Sequence, residues 1–283
     1  MADAGPAPQE SPGFSWDAWL DGKLVLTQPT TGHRVGTDAV LLSAALALHS
    51  GRVVDVGAGI GAVGLTLAQR SPSVIVDLVE TDAALAAIAA DNAARNGLGE
   101  RVRALPLDVL DARARRAAGL LDGSADVVLT NPPFFEPTAV RASPDAAKAR
   151  AHILPKSTSE PALSAWLRAS LAVLVPGGRF AMIHRPDATA AILAALAGRL
   201  GGVVLLPVYP REGAVCVRLM VSGVKGSRAP LRIAPGLVLH SKDGRLTPAA
   251  DAIHRGKALL DWADARPGKI KKADRLGGDP PIR

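Results

Sequence analysis

Aromatic residues make up only 3% of this 283-residue chain. An aromatic inside a polar motif is therefore a candidate for function rather than core filler. Cysteine is scarcer still. The single Cys216 excludes an internal disulfide and a cysteine-based metal site, and no metal is expected. Cys216 lies in the alternating run Ala214 to Leu219, which predicts a buried strand position for it. The longest alanine/leucine stretch, Ala188 to Pro207, is interrupted by Arg199, Gly201 and Gly202 and does not suit a membrane span. Residues 1–15 lack a basic start leading into an apolar run, so no signal peptide is expected and a cytoplasmic location follows.

What is present fits a large α/β domain. Apolar residues reach 48%, and alanine dominates the helical stretches, which suits close-packed helices. The formal charge of +7 suits a polyanionic partner, or simply a solvated basic surface. Residues 1–15 are rich in Pro, Ala, Gly and Ser and are expected to be disordered; residues 265–283 form a basic tail expected to be flexible. Between them, residues 16–222 alternate strand and helix. Residues 223–264 read as an extension packed on that domain, with a hairpin around Lys242-Asp243-Gly244 and a short helix from Pro248 to Trp262.

The alternation is specific. Thr37 or Asp38 is expected to cap a helix running through Leu48, stopped by Gly51. Strands are expected at 52–56, 73–79, 102–107, 126–129, 179–184, 203–209 and 214–222, the last two antiparallel. Helices are expected at 62–70, from Asp82 to Asn96-Gly97, at 161–174 and at 187–200. This order implies a Rossmann-like α/β fold with a mostly parallel, seven-stranded sheet and helices on both faces.

Asp55-Val56-Gly57-Ala58-Gly59-Ile60-Gly61 follows the first of these strands and opens a helix. Glycines let backbone approach a ligand closely and turn sharply. Glu80 ends the second strand, about 20 residues later, where an acid meets a ribose diol in such sheets. Asp108 ends the third, where an acid can meet an adenine amino group or simply cap a helix. Gly59-Ile60-Gly61-Ala62-Val63-Gly64 also fits the dinucleotide spacing, which leaves a nicotinamide oxidoreductase open. Two features favour S-adenosylmethionine. Asp55 sits inside the strand, where it can anchor the loop and the amino-acid part of the cofactor. The fourth strand also ends in a motif that a dehydrogenase does not need.

That motif is Asn131-Pro132-Pro133-Phe134. Ligands in open α/β sheets bind beyond the carboxyl ends of the strands, so motif and glycine loop share one edge. An exocyclic base amine is conjugated with its ring and is a poor nucleophile. The Asn131 side-chain oxygen and the Pro132 carbonyl can accept its two N–H groups and free the nitrogen lone pair. Pro132 and Pro133 stiffen the backbone, and Phe134 offers a stacking face worth roughly 1–3 kcal/mol per base. The alternative is a proline turn with an aromatic plug.

With these residues, the chain resembles class I S-adenosylmethionine-dependent methyltransferases, and more narrowly the bacterial tRNA(Val) adenine-N6 methyltransferases, which modify the adenine after the anticodon. The resemblance spans most of residues 22–222. Its most particular element is Gln28-Pro29 followed by Gly32-His33-Arg34-Val35-Gly36-Thr37-Asp38-Ala39-Val40-Leu41-Leu42. The resemblance implies that Gly36-Thr37-Asp38 closes over the methionine end of the cofactor. It also implies that the segment bearing Arg141, Lys148, Arg150 and Lys156 lies over a tRNA target, with His152 a loop residue. Phe134 departs from the tyrosine often found there, keeping the ring and losing a hydroxyl. Asn-Pro-Pro-Phe also occurs in enzymes methylating guanine N2 of ribosomal RNA, and the tyrosine form in enzymes methylating a glutamine amide of release factors. A non-catalytic RNA-binding protein is a further alternative, which the intact Asn131 motif opposes.

Overall fold

The structure is a computed structural model describing residues 13–31, 34–133 and 162–260. A hairpin opens it, β1 (Phe14–Trp19) paired antiparallel with β2 (Leu24–Pro29). There follow α1 (Thr37–Ser43), β3 (Ser50–Val56), α2 (Ala62–Arg70), β4 (Ser73–Glu80), α3 (Ala83–Arg95), β5 (Val102–Pro106), α4 (Ala112–Ala117) and β6 (Ala125–Thr130). The second half holds α5 (Ala162–Ala172), β7 (Leu174–His184), α6 (Thr189–Leu196), β8 (Leu200–Arg211), β9 (Arg218–Lys225), β10 (Arg232–Ile233), β11 (Leu237–His240) and α7 (Pro248–His254).

The main sheet has nine strands among the described residues, in the order β10-β8-β9-β7-β6-β3-β4-β5, with β11 also on β8. Only β9 runs antiparallel to its neighbours β7 and β8. The seven strands expected from the sequence are all present, and β10 and β11 lengthen the sheet beyond β8. The inner strands are apolar on both faces because helices cover both faces. Val53, Val127, Leu129 and Ile183 pack toward α1, α2 and α3; Val54, Val56, Val128 and Met182 pack toward α5 and α6.

Local chemistry explains the well-defined boundaries. Asp82 accepts from the N–H groups of Ala84 and Leu85 and so starts α3, as its position suggests. Gly61, at φ +90°, turns the chain into α2. An added Cβ at Gly64 would come within 2.3 Å of Leu78, so α2 packs on β4 only because no side chain stands there.

Four expectations need correction. The first helix ends at Ser43 rather than Leu48, and Gly51 lies inside β3. The carbonyls beyond Ser43 find partners elsewhere: Ala44 accepts from Leu260 N at 2.7 Å, and Leu48 from Ser71 Oγ at 2.6 Å. Neither Thr37 nor Asp38 caps this helix. Gly36 occupies the cap position without a side-chain bond, and Asp38 sits in the first turn, ion-paired with Arg218 at 2.8 Å. Cys216 is not a buried strand residue. β9 begins at Arg218, and Cys216 stands half-buried in the preceding turn, its thiol 3.0 Å from the Arg218 carbonyl. Finally, Phe14 and Ser15 belong to β1 rather than to a disordered terminus. Residues 1–12 and the tail 265–283 lie outside the described residues.

Between residues 223 and 260 the described chain keeps contact with the rest of the fold. α7 packs against α1, and Arg255 and Lys257 reach Asp21 of the first hairpin at 3.5 and 3.8 Å. No helix among the described residues is long and apolar enough to cross a membrane.

Candidate active site

β3, β4, β5, β6 and β7 run parallel, so their carboxyl ends face one edge. The loop from Gly57 to Gly61 leaves β3 at that edge. Gly57 N and Ala58 N donate to the Val79 carbonyl at 2.9 and 3.0 Å, tying the loop to the end of β4. Gly57, Gly59 and Gly61 all have positive φ, the region that only glycine enters without strain. Their surroundings differ. An added Cβ at Gly57 would meet the Trp166 ring at 3.0 Å, and one at Gly61 would meet Leu78 at 2.8 Å, whereas one at Gly59 would meet nothing within 4 Å. Gly59 therefore borders open space at the carboxyl edge.

Glu80 closes the loop from the other side. Its Oε2 accepts from Gly59 N at 2.8 Å and its Oε1 from Asp82 N at 2.9 Å. Asp55, 2% exposed, accepts from Gly64 N in the first turn of α2 at 3.0 Å. Burial pushes its carboxyl pKa up to about 7; the Gly64 bond opposes this and nearby Glu80 adds to it. Asp108 lies two residues past β5, and its Oδ1 accepts from Leu110 N at 2.9 Å, a local turn.

The raised Asp55 pKa has a direct consequence. Between the unfolded value near 3.8 and the folded value of about 7, the native protein holds a proton that the unfolded chain has released. The stability this contributes is complete below the lower value and is lost as pH rises through 7. The melting temperature of the wild type is expected to fall more steeply between about pH 4 and about pH 7 than that of Asp55→Asn, which keeps the acceptor for Gly64 and cannot ionise. Parallel melting curves against pH would contradict the buried carboxyl.

Asn131 follows β6 directly. Its Oδ1 is buried and has no hydrogen-bond partner among the described residues. A buried acceptor without a donor costs about 1–3 kcal/mol, so its retention points to a donor arriving from outside. Its carbonyl lies 4.0 Å from the Cβ position of Gly57, which places motif and glycine loop side by side. Pro132 is buried and Pro133 half-buried. His184, at the end of β7, faces the Pro133 backbone; burial holds its imidazole below the ordinary value, while the Arg185 and Pro133 backbone groups push the other way. Phe134, Arg141, Lys148, Arg150, His152 and Lys156 lie outside the described residues.

The segment around the start of α1 is held by the first hairpin, β9 and α7. Arg34 bonds Asp17 of β1 at 2.7 Å, and the buried Gln28 accepts from Val35 N at 3.0 Å. Thr37 Oγ1 stands 3.4 Å from His254 of α7, and Asp38 is held by Arg218 of β9. Sequence reasoning missed Asn92. Buried in α3, it bonds Thr27 N at 2.8 Å, Thr27 O at 3.1 Å and the Ile60 carbonyl of the glycine loop at 3.1 Å. Asn96, one turn later, repeats the pattern at Val25, with both of its contacts at 2.9 Å. The available signal was a pair of asparagines four apart on an alanine-rich helix. A helix face that must meet a strand edge needs such amides.

The comparisons with known proteins agree with this geometry. Residues 33–149 match the family model described as the methyltransferase small domain. The tRNA1(Val) (adenine(37)-N6)-methyltransferase of Dickeya chrysanthemi is 36% identical over 196 residues, covering 68% of this chain and 72% of that protein. The enzyme of the same name from Aeromonas hydrophila is 31% identical, covering 75% and 84%. Among solved structures, a predicted O-methyltransferase from Agrobacterium tumefaciens superposes with a TM-score of 0.66 at 30% identity, covering 79% of this chain and 98% of that one. Fold and site thus define a class I S-adenosylmethionine-dependent methyltransferase. More narrowly, the chain belongs to the tRNA1(Val) (adenine(37)-N6)-methyltransferase family.

Proposed function

We propose that this chain transfers a methyl group from S-adenosylmethionine to N6 of an unpaired adenine in tRNA, the one that follows the anticodon of a valine tRNA. One observation carries the chemistry: a buried Asn131 oxygen, without a partner among the described residues, at the carboxyl end of β6 beside the glycine loop. An amine presents two N–H groups, and Asn131 Oδ1 with the Pro132 carbonyl supplies two acceptors. A hydroxyl, as methylated by an O-methyltransferase, presents one and leaves an acceptor unmet.

When bound, S-adenosylmethionine supplies a sulfonium methyl as electrophile. Gly59 leaves room for it, and Glu80 and Asp108 would hold its ribose and adenine. Asp55 anchors the loop through Gly64, and Gly57 and Gly61 shape it. Thr37 and Asp38 would close over its methionine end. Asn131 and Pro132 draw the target amine toward a pyramidal geometry, Pro133 fixes the carbonyl direction, and Phe134 stacks on the base. The amine loses its proton to solvent after transfer, so no general base is required beforehand. A loop adenine can enter this site without the cost of opening a helix. The curated relatives named above carry this substrate in their names, and a cytoplasmic location goes with it.

Arg141, Lys148, Arg150 and Lys156 follow the motif and are assigned to tRNA phosphates. tRNA affinity should therefore fall steeply with salt, and Arg150→Gln or Lys156→Gln should each reduce the slope of log K against log salt by about one unit. Unchanged slopes would remove these residues from the interface. The reading as a whole is tested in cells. Valine tRNA from a strain lacking the gene should lose N6-methyladenosine after the anticodon, detected by nucleoside mass spectrometry. Its persistence there would refute the assignment.

A further inference from the structure

Beneath the contact between glycine loop and motif lies a chain of buried polar groups. Trp166, 9% exposed on α5, donates its indole N–H to Thr130 Oγ1 at 2.9 Å. Thr130 is fully buried and donates its hydroxyl to the Val56 carbonyl at 2.8 Å. Each group is satisfied, the hydroxyl by one bond given and one received. The two ends of the chain matter. Val56 immediately precedes Gly57, and Thr130 immediately precedes Asn131. The Trp166 ring also lies directly against Gly57, within 3.0 Å of the place a Cβ would take. In a core made mostly of aliphatic side chains, an indole and a hydroxyl join the last residues of two adjacent strands.

We propose that Trp166 and Thr130 are positioning residues that set the separation between the glycine loop and the Asn131 acceptor. Backbone pairing of β3 with β6 fixes register, but it ends at Val56 and Thr130. Past that point the strands run into the loop and the motif, and among the described residues this relay hydrogen-bonds their last residues together. Methyl transfer needs nucleophile and electrophile within a near-attack distance, and displacement by about 1 Å can cost about a hundredfold in rate. Loosening the relay should therefore slow transfer while each ligand still binds its own half of the site. This rests on the methyltransferase assignment and not on which nucleoside is methylated.

The experiment compares Trp166→Phe, Thr130→Val and Thr130→Ser, with Leu171→Val as a core control on the same helix. Single-turnover methyl transfer is measured with labelled S-adenosylmethionine and total RNA, scoring whichever nucleoside takes the label. Calorimetry with S-adenosylhomocysteine gives the affinity of the loop. Trp166→Phe keeps an aromatic ring but loses both the N–H and the indole edge against Gly57, whereas Thr130→Val leaves the indole in place and removes only the hydroxyl link. Each should slow transfer about tenfold or more, with affinity within about threefold of the wild type. Thr130→Ser restores the hydroxyl and should recover the rate, and Leu171→Val should keep the rate even where it lowers the melting temperature. A full rate in Trp166→Phe, a Thr130→Ser as slow as Thr130→Val, or an equally slow Leu171→Val would each overturn the proposal. A substrate-free arm uses nuclear magnetic resonance. The Trp166 indole N–H signal, assigned by its loss in Trp166→Phe, should shift when S-adenosylhomocysteine binds. A signal that stays in place while calorimetry records binding would also overturn it. Label on a nucleoside other than N6-methyladenosine refutes the proposed substrate and leaves these ratios readable.

Discussion

Asn131→Ala is expected to slow methyl transfer by about a hundredfold or more, a loss of about 2.7 kcal/mol of transition-state stabilisation, with cofactor affinity nearly unchanged. The asymmetry follows from where the Asn131 oxygen stands. It is buried, accepts no bond from the described residues, and sits at the carboxyl end of β6 rather than inside the glycine loop. A preorganised acceptor acts when the target amine loses conjugation with its ring, so its removal costs rate rather than binding. The fold loses little through the oxygen, because the buried Oδ1 that alanine deletes has no partner among the described residues. Asn131→Asp keeps an oxygen there but buries a charge beside the loop, and should recover only part of the rate. At the neighbouring motif position, Phe134→Tyr should retain activity and Phe134→Ala should lose it, since stacking needs the ring and not a hydroxyl. A fully active Asn131→Ala enzyme would remove Asn131 from the chemistry.

Gly59→Leu should abolish cofactor binding, weakening it by about a hundredfold or more, while the protein still folds. Both halves come from the same position. A Cβ there meets no described protein atom within 4 Å, so the side chain starts out into open space at the carboxyl edge, where the ligand is assigned. Its backbone cost, a residue held at φ +56°, is about 1–2 kcal/mol, tolerable for a domain of this size. Gly61 and Gly64 make the contrast. There an added Cβ meets Leu78 at 2.8 and 2.3 Å, so the larger residue should damage packing of α2 on β4 before it touches any ligand. Glu80→Ala stands between these cases. It frees the N–H groups of Gly59 and Asp82 together, and should weaken binding without unfolding the chain. Calorimetry on Gly59→Leu showing wild-type affinity for S-adenosylhomocysteine would contradict the placement of the cofactor.

The parts of this fold legible in the sequence are those governed by local chemistry. Asp82 before an alanine-rich run, Asn96-Gly97 after it, and the glycines between Val56 and Ala62 each carry their own start or stop signal, and the structure has α3 and α2 at those places. The mostly parallel sheet with helices on both faces followed from alternation of elements. The misreadings fall where distant groups decide. Residues 44–48 are apolar and helix-favouring, yet Ser71 and Leu260 take their carbonyls, and those partners are far away in sequence. Asp38 looks like a cap until Arg218, 180 residues on, claims it. The run around Cys216 alternates like a strand, but Val215 is 85% exposed because β9 begins only at Arg218. β10 and β11 are too short to carry a period of their own. In the site, Asp55, Glu80 and Asn131 were legible because acids and amides at strand ends are conspicuous. Asn92, Thr130 and Trp166 were not, because each acts through a tertiary partner 32 to 74 residues away.

The central claim is that this site methylates an adenine amine in tRNA. It is tested most directly by incubating the purified protein with labelled S-adenosylmethionine and separate pools of tRNA, ribosomal RNA and release factor, then identifying the labelled product by mass spectrometry. The site described here predicts label in the tRNA pool as N6-methyladenosine, in the valine species and at the nucleotide following the anticodon. Label recovered as N2-methylguanosine in ribosomal RNA or as methylglutamine in release factor, with none as N6-methyladenosine, would contradict it.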